Sequence, residues 1–304
     1  MNAAWIDQYG GPELIRYGEV DRPSPGPGEV LLEVAGASFN PADIGDRSGR
    51  YRSVTLPFVL GFDVAGTVDE VGAGVQSLSL GDAVIARLDG GGASAEYAVA
   101  PADLVARAPI GIPLADAAAI PLAGLTAWQA VFEHGHVRSG QRVLINGAGG
   151  GVGSFAIQLA KRVGAFVIAT ASKRSVNQVR GHGADEVVDY TSAALPDAVA
   201  GPVDVVLNLV PTSPEASAAL VGLARPGGTI VSITGKIDAV ASAGVTSNQF
   251  VARNDPAILT ELVLLVDSGE LAVDISERLP LSRIADVHRR SERGDIRGKV
   301  ILLP

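Results

Sequence analysis

Short apolar runs broken by glycine and proline fill the first hundred residues of the chain. Val30-Leu31-Leu32-Glu33-Val34, Val64-Ala65-Gly66-Thr67-Val68, Ala83-Val84-Ile85-Ala86 and Glu96-Tyr97-Ala98-Val99 each have strand length and strand composition. The Pro/Gly-rich stretch 23–28 and the glycines at 72, 74, 81 and 90–92 punctuate them as turns. This pattern predicts a compact, mostly antiparallel unit. After Pro109 the texture changes. Residues 114–120 and 126–133 have helical composition. From Arg142 onward strands (143–145, 166–169, 186–188, 203–209, 228–233) alternate with helices (154–163, 175–181, 215–223). Strands that are apolar throughout and joined by helices imply a parallel sheet covered on both faces. A further helix is predicted over 258–268. The chain ends in Lys299-Val300-Ile301-Leu302-Leu303, an apolar strand whose natural host is the β-rich first part.

Composition narrows the chemistry. With 47% hydrophobic and 19% charged residues among 304, the chain can bury a sizeable core. A net charge of −9 argues against nucleic acid as a partner, because duplex binding needs a cationic face. There is no cysteine, which removes disulfides, thiolate zinc sites, iron–sulfur clusters and thiol nucleophiles together. No apolar run is long enough for a membrane span and no secretory pattern opens the chain, so a cytoplasmic protein is expected.

The sharpest motif is Asn146-Gly147-Ala148-Gly149-Gly150-Gly151-Val152-Gly153, between a predicted strand and a predicted helix. Glycines there allow a tight turn and close approach of backbone amides to a pyrophosphate, at the positive end of the helix. Gly150, Gly151, Val152 and Gly153 are the candidate phosphate contacts; the alternative is an ordinary tight turn. Sites that prefer NAD place an acidic residue at the end of the second strand. Here that strand runs into Ser172-Lys173-Arg174, with no acidic residue between Gly153 and Asp185. Two cations and a hydroxyl suit a 2′-phosphate, so NADP(H) is expected; the alternative is a solvated basic turn.

With these residues in view, the chain resembles the medium-chain dehydrogenase/reductase superfamily, in its zinc-free quinone oxidoreductase (zeta-crystallin-like) branch. The resemblance is carried by Phe39-Asn40-Pro41-Ala42-Asp43, Arg47-Ser48-Gly49-Arg50-Tyr51, Leu60-Gly61-Phe62-Asp63-Val64-Ala65-Gly66, Gly81-Asp82-Ala83-Val84, Ala95-Glu96-Tyr97, Leu125-Thr126-Ala127-Trp128, the glycine turn and Arg297-Gly298-Lys299-Val300. It implies an α/β protein: a GroES-like β-rich catalytic domain (1–112 and 247–304) plus a Rossmann doubly wound parallel-sheet domain (113–246), with the active site in the cleft between them. The zinc-binding branches carry a cysteine near the position of Asn40 and Gly-His-Glu where this chain has Gly61-Phe62-Asp63. No metal site is therefore expected, and His134 and His136 read as loop or surface residues.

The resemblance further implies Asn40, Asp43 and Tyr51 as catalytic neighbours of the substrate. Tyr51 is a candidate proton donor, although it would serve equally as a wall of the cleft, and Asn40 as a turn residue before proline. Asn40, Thr126, Tyr190, Asn208, Leu209, Ile233, Thr234, Gly235, Phe250 and Arg297 are implied as cofactor neighbours. The expected reaction is hydride delivery from NADPH to a small quinone or another α,β-unsaturated carbonyl. An enoyl-thioester or alkenal reductase, and an NADPH-binding protein with little turnover, are the alternatives. The expected partners are the small-molecule substrate and a second copy of the chain, paired through residues 228–233 and the segment to about Gln249; neither nucleic acid nor membrane is expected.

Overall fold

The computed structural model describes residues 1–238 and 244–304. The chain begins with β1 (Asn2–Ile6), β2 (Arg16–Glu19), β3 (Glu29–Ser38), α1 (Pro41–Ser48), β4 (Phe58–Val59), β5 (Asp63–Val71), β6 (Ala83–Arg87), β7 (Tyr97–Pro101) and β8 (Val105–Arg107). The helices α2 (Leu114–Ala117) and α3 (Pro121–Trp128) follow, and a π-helical turn, Gln129–His134, extends α3. Next come β9 (Arg142–Asn146), α4 (Gly151–Arg162), β10 (Phe166–Ala171), α5 (Val176–Gly181), β11 (Glu186–Asp189), α6 (Leu195–Ala198), β12 (Val203–Asn208), α7 (Pro214–Leu223), β13 (Ala224–Ser232) and β14 (Thr246–Gln249). The last part holds α8 (Pro256–Asp267), β15 (Ile275–Pro280), α9 (Ile284–Glu292) and β16 (Lys299–Leu303).

Two compact units result: residues 1–122, 254–269 and 273–304 form the first, 123–253 and 270–272 the second. The resemblance set the joints at 112/113 and 246/247. The first joint lies later because α2 packs on β3 and β5 and so stays with the first unit.

In the first unit β2, β1 and β4 form a small sheet, and a larger one runs β15-β16-β3-β5-β6-β8 with β7 also paired to β3. The β3–β5–β6 pairings are antiparallel, as the alternation of strand and turn requires. The terminal strand β16 docks antiparallel on β3, Ile301 opposite Ser38 and Leu302 opposite Ala37, so the expected host is the real one. Val34, Leu60, Val64, Val84, Val300 and Leu302 form the core between the elements.

The helix α1 is not among the elements the pattern predicts. Its signals are nonetheless local. Asn40 is extended (φ −132°, ψ 149°), Pro41 occupies the first helical position, Asp43 accepts the Asn40 N–H at 2.7 Å, and Gly49 closes the helix at φ 70°.

The second unit is a parallel six-stranded sheet in the order β11-β10-β9-β12-β13-β14. Strand order reverses between β9 and β12, the switch point at which such sheets bind ligands at their carboxyl ends. Leu144, Ile168, Val206, Leu220 and Ile230 are buried between sheet and helices. Two expectations are corrected here. The helix after the glycine turn begins at Gly151 rather than Ser154, so Gly151, Val152 and Gly153 form its first turn. The strand at 228–233 is interior, flanked by β12 and β14; among the described residues the edges of the sheet are β11 and β14. Within the segment offered for pairing, 239–243 lie outside the described residues.

Candidate functional site

In the second unit the chain leaves β9 through Gly147 at φ 89°, and α4 starts after Gly150, which is extended (φ −92°, ψ 176°) and offers no side chain as a cap. The first-turn amides of α4 therefore point outward with the positive end of the helix behind them. Two glycines are demanded by contact. A Cβ on Gly153 would lie 2.5 Å from the Ala148 carbonyl oxygen, and one on Gly149 2.5 Å from Ser175 Oγ. At Gly150, by contrast, an added Cβ would meet only the Gly147 oxygen at 3.5 Å, so the mouth is open in front. A cradle of this shape fits a dinucleotide pyrophosphate.

Across the carboxyl ends of four neighbouring strands runs a row of polar side chains. The Gly147 N–H donates to Thr170 Oγ1 (2.9 Å), whose hydroxyl donates to Asn146 Oδ1 (3.1 Å). Asn146 Nδ2 donates to Asn208 Oδ1 (2.8 Å), and Asn208 Nδ2 to Ser232 Oγ (3.2 Å) and the Val210 carbonyl (2.9 Å). All four side chains are buried. The row ties β10, β9, β12 and β13 together where their loops depart, and it fixes Leu209, whose N–H donates to the Asn146 carbonyl, and Ile233, whose N–H donates to that of Asn208. Of the row only Asn208 was among the candidate cofactor residues. The signal existed: each apolar strand closes on an amide or hydroxyl residue.

The remaining candidates of this unit lie around that edge. Ser172, half-buried, and Lys173 and Arg174, both exposed, follow β10; Tyr190, exposed, follows β11. The Asp189 carboxyl is held low by the hydroxyl and N–H of Thr191, with Lys173 adding to the effect. Thr234 donates its hydroxyl to the Val210 carbonyl (2.9 Å), next to Gly235. Phe250 sends its N–H to the Ser232 carbonyl and stacks its ring on His134 at 4.1 Å. His134, expected in a loop or at the surface, instead ends the π-helical turn, where burial pushes its pKa down; His136 is exposed at φ 48°. Thr126 is buried on α3.

In the first unit Asn40 and Asp43 fall into one buried cluster with Asp63 and Lys299. Asn40 Nδ2 donates to the Ser38 carbonyl (3.1 Å) and to Asp63 Oδ2 (2.9 Å), while Asn40 Oδ1 accepts from Lys299 Nζ (2.6 Å). Both amide hydrogens of Asn40 are thus spent inside the protein. Asp43 Oδ1 has no partner, and burial pushes this carboxyl up to about 8, against the Asn40 N–H bond and with help from the Asp63 charge. Tyr51 stands outside the cluster, 46% exposed, its ring edge-on to the buried Phe62 at 6.5 Å. Arg297 is exposed in the first unit, where it adds to the Arg290 pair that lowers the pKa of Glu277. Asp63 and Lys299 were not named as site residues. A lone acid in the apolar run 60–68 and a lone cation in the last strand were their only marks.

Positions 40 and 62 do not hold the cysteine and histidine of the zinc-binding branches. Position 40 holds an amide already bonded, position 62 a phenyl ring, and among the described residues no group of three or more His, Cys, Asp or Glu could hold a metal ion. No described helix is long and apolar enough to cross a membrane.

Residues 26–110 match the alcohol dehydrogenase GroES-like domain, and residues 182–302 the zinc-binding dehydrogenase family. A chloroplast envelope quinone oxidoreductase homolog of Arabidopsis thaliana is 34% identical over all of this chain and 98% of its own length. The NADPH-dependent alkenal/one oxidoreductase of the same plant is 35% identical over 99% of this chain and 79% of its own. The structure of Escherichia coli quinone oxidoreductase complexed with NADPH superposes with a TM-score of 0.92 at 26% identity, covering both chains completely. Sheet order, glycine cradle and full-length likeness converge: the chain belongs to the medium-chain dehydrogenase/reductase superfamily, in its quinone oxidoreductase branch.

Proposed function

We propose that the chain is an NADPH-dependent reductase that adds hydride to a quinone or another α,β-unsaturated carbonyl without zinc. The observation that carries this is the open, glycine-lined amide mouth at Gly150–Gly153, in a protein whose positions 40 and 62 hold neither cysteine nor histidine. Gly150, Gly151, Val152 and Gly153 would hold the pyrophosphate, and Leu209, Ile233, Thr234 and Gly235 would line the path of the nicotinamide half. Ser172, Lys173 and Arg174 would take the 2′-phosphate beside Tyr190, because two cations at a strand end neutralise what a carboxylate would repel.

When bound, the reduced nicotinamide supplies the hydride. What the protein adds is orientation and charge stabilisation. Hydride addition at the β-carbon moves electrons onto the substrate's carbonyl oxygen, which then needs a hydrogen-bond donor and finally a proton. Tyr51, whose side chain is exposed, would give it, with water as the alternative source. Replacing Tyr51 by Phe should lower kcat about tenfold with little change in NADPH affinity; unchanged turnover assigns the proton to water.

Two further experiments test the reading. Turnover of quinones, alkenals and enoyl thioesters, measured by NADPH consumption in the presence of a chelator, should select among acceptors and persist without metal. An acceptor panel with no consumption despite tight NADPH binding would end the enzymatic reading. Replacing Lys173 and Arg174 together by Ala should cut kcat/KM for NADPH at least about tenfold while sparing NADH, since each cation loses a charge-assisted contact only to the extra phosphate. The alkenal relative supports the enone arm of the acceptor panel. A homodimer is part of the proposal: among the described residues β14 pairs with β13 alone, and such an edge suits pairing with a second copy.

A further inference from the structure

Residues 49–57, the segment that carries Tyr51, belong to no helix or strand. A segment of this kind keeps its shape through ties to its surroundings. The Arg50 and Tyr51 N–H groups donate to the Gly45 carbonyl (2.9 and 3.2 Å). The Val54 N–H donates to the Tyr9 hydroxyl (2.7 Å), which donates back to the Val54 carbonyl (3.1 Å). Between these ties Arg52 reaches to α1 and to the turn after β6. Its Nε and Nη2 donate to Asp46 (3.0 and 2.7 Å), and its Nη1 to the Asp89 carbonyl. Each nitrogen of the guanidinium is thus engaged inside the first unit.

Two more contacts bear on Tyr51 itself. The Arg52 guanidinium lies over the ring of Phe62, 5.2 Å from its centre, and Tyr51 stands edge-on to that same ring. On α1, a Cβ at Gly45 would lie 2.7 Å from the Tyr51 Cβ and 3.4 Å from its Cγ. Glycine destabilises a helix interior, so its place at 45 answers to the approach of Tyr51.

Stability does not call for the ion pair. Asp46 is 2% exposed, and a buried ion pair seldom stabilises more than an apolar pair of similar volume. What a two-pronged arginine–carboxylate contact adds is direction, because the planar fork fixes angle as well as distance.

We propose that Arg52, aimed by Asp46 and seated on Phe62, is a positioning residue that holds the Tyr51 phenol in one orientation. This rests on Tyr51 as the proton donor and deepens that reading. The rate then depends on a guanidinium whose nitrogens all bond within the protein.

The test separates aim from stability. In Arg52→Met, kcat should fall about fivefold or more, toward the value of Tyr51→Phe, since a displaced donor serves little better than an absent one. The NADPH dissociation constant should stay within about twofold, because its phosphates are assigned to α4. Adding Arg52→Met to Tyr51→Phe should lower kcat by less than about twofold more, because no phenol is left to aim. Losses that multiply would overturn the proposal. Arg52→Met leaves the Asp46 carboxylate buried and unpaired, so Asp46→Leu combined with Arg52→Met is the control for folding. That double variant should regain the wild-type thermal midpoint while its kcat stays low. A double variant as fast as the wild type would make the salt bridge structural only and end the proposal. A further readout needs no turnover. In protein labelled with 3-fluorotyrosine, the ¹⁹F signal missing from Tyr51→Phe belongs to Tyr51. In the wild type it should sit away from the shift of the free amino acid, and in both Arg52 variants it should move toward that shift. An unmoved signal defeats the seat. A signal that moves, where Tyr51→Phe turns over at the full rate, keeps the seat and ends the donor role.

Discussion

Asp43 and His288 both ionise far from their ordinary range, in opposite senses, and each leaves a measurable mark on stability. Burial raises the Asp43 carboxyl from 3.8 to about 8. A raised folded pKa means that the folded state holds the proton more tightly, so the contribution is complete below about pH 4 and is lost as pH climbs to about 8. Asp43→Asn keeps an acceptor for the Asn40 N–H and cannot ionise. Its stability advantage over the wild type should widen by about 2 kcal/mol or more between pH 5 and pH 8, read from denaturant midpoints. His288 lies fully buried on α9, edge-on to Phe39 at 5.0 Å, with neither ring nitrogen hydrogen-bonded. Burial, and then the Arg47 charge, push it down to about 3. A lowered folded pKa for a base gives stability that is present above about pH 6.5 and lost as pH falls toward 3. His288→Leu should therefore gain about 2 kcal/mol relative to the wild type on going from pH 7 to pH 5; an unchanged difference would show that the imidazole is hydrated. Neither residue could be ranked this way from sequence. Asp43 was picked out by the company of Asn40 and Pro41, but nothing in the order of letters says that it lies 2% exposed against a second carboxylate, because burial is a property of the fold around it.

Among the elements, α4 had the clearest signature and also the most instructive error. The strand–glycines–helix order was legible because glycine is the one residue that satisfies both Gly147, at φ 89°, and Gly153, pressed on Ala148. The start of the helix was misplaced by three residues because glycines carry low helical propensity, while the open mouth needs them in the first turn. Gly153→Ala forces a methyl to within 2.7 Å of three Ala148 backbone atoms. It should destabilise the protein by about 1–3 kcal/mol and weaken NADPH binding at least about tenfold, measured by calorimetry. Full affinity would mean that helix and turn separate freely. The polar row Thr170–Asn146–Asn208–Ser232 was read only at Asn208. Its members sit 24 to 62 residues apart in sequence, and only strand register sets them side by side. The edge strand β14 escaped because Thr-Ser-Asn-Gln carries no apolar alternation; parallel pairing to β13 alone makes it a strand.

For the whole molecule, composition and alternation sufficed to separate an antiparallel unit from a parallel one and to bring the last strand back to the first. The joints between units were less legible, since helical composition at 114–128 does not reveal that α2 packs on β3 and β5. Removing residues 299–304 should leave β3 with one neighbour fewer and expose Val34, Leu60 and Val64 to solvent. Such a truncation is expected to lose the cooperative melting of the first unit while keeping the helical circular dichroism of the second. Two intact transitions would contradict it. The placement of β16 also sets an order of events in the cell. The parallel unit has all its strands once Gln249 leaves the ribosome, whereas the sheet begun by β3 waits for the final five-residue strand. The part of the protein made first is therefore the part finished last, and nascent chains end their synthesis with the parallel sheet complete and the first sheet still short of a strand, an exposed edge that chaperones must shield.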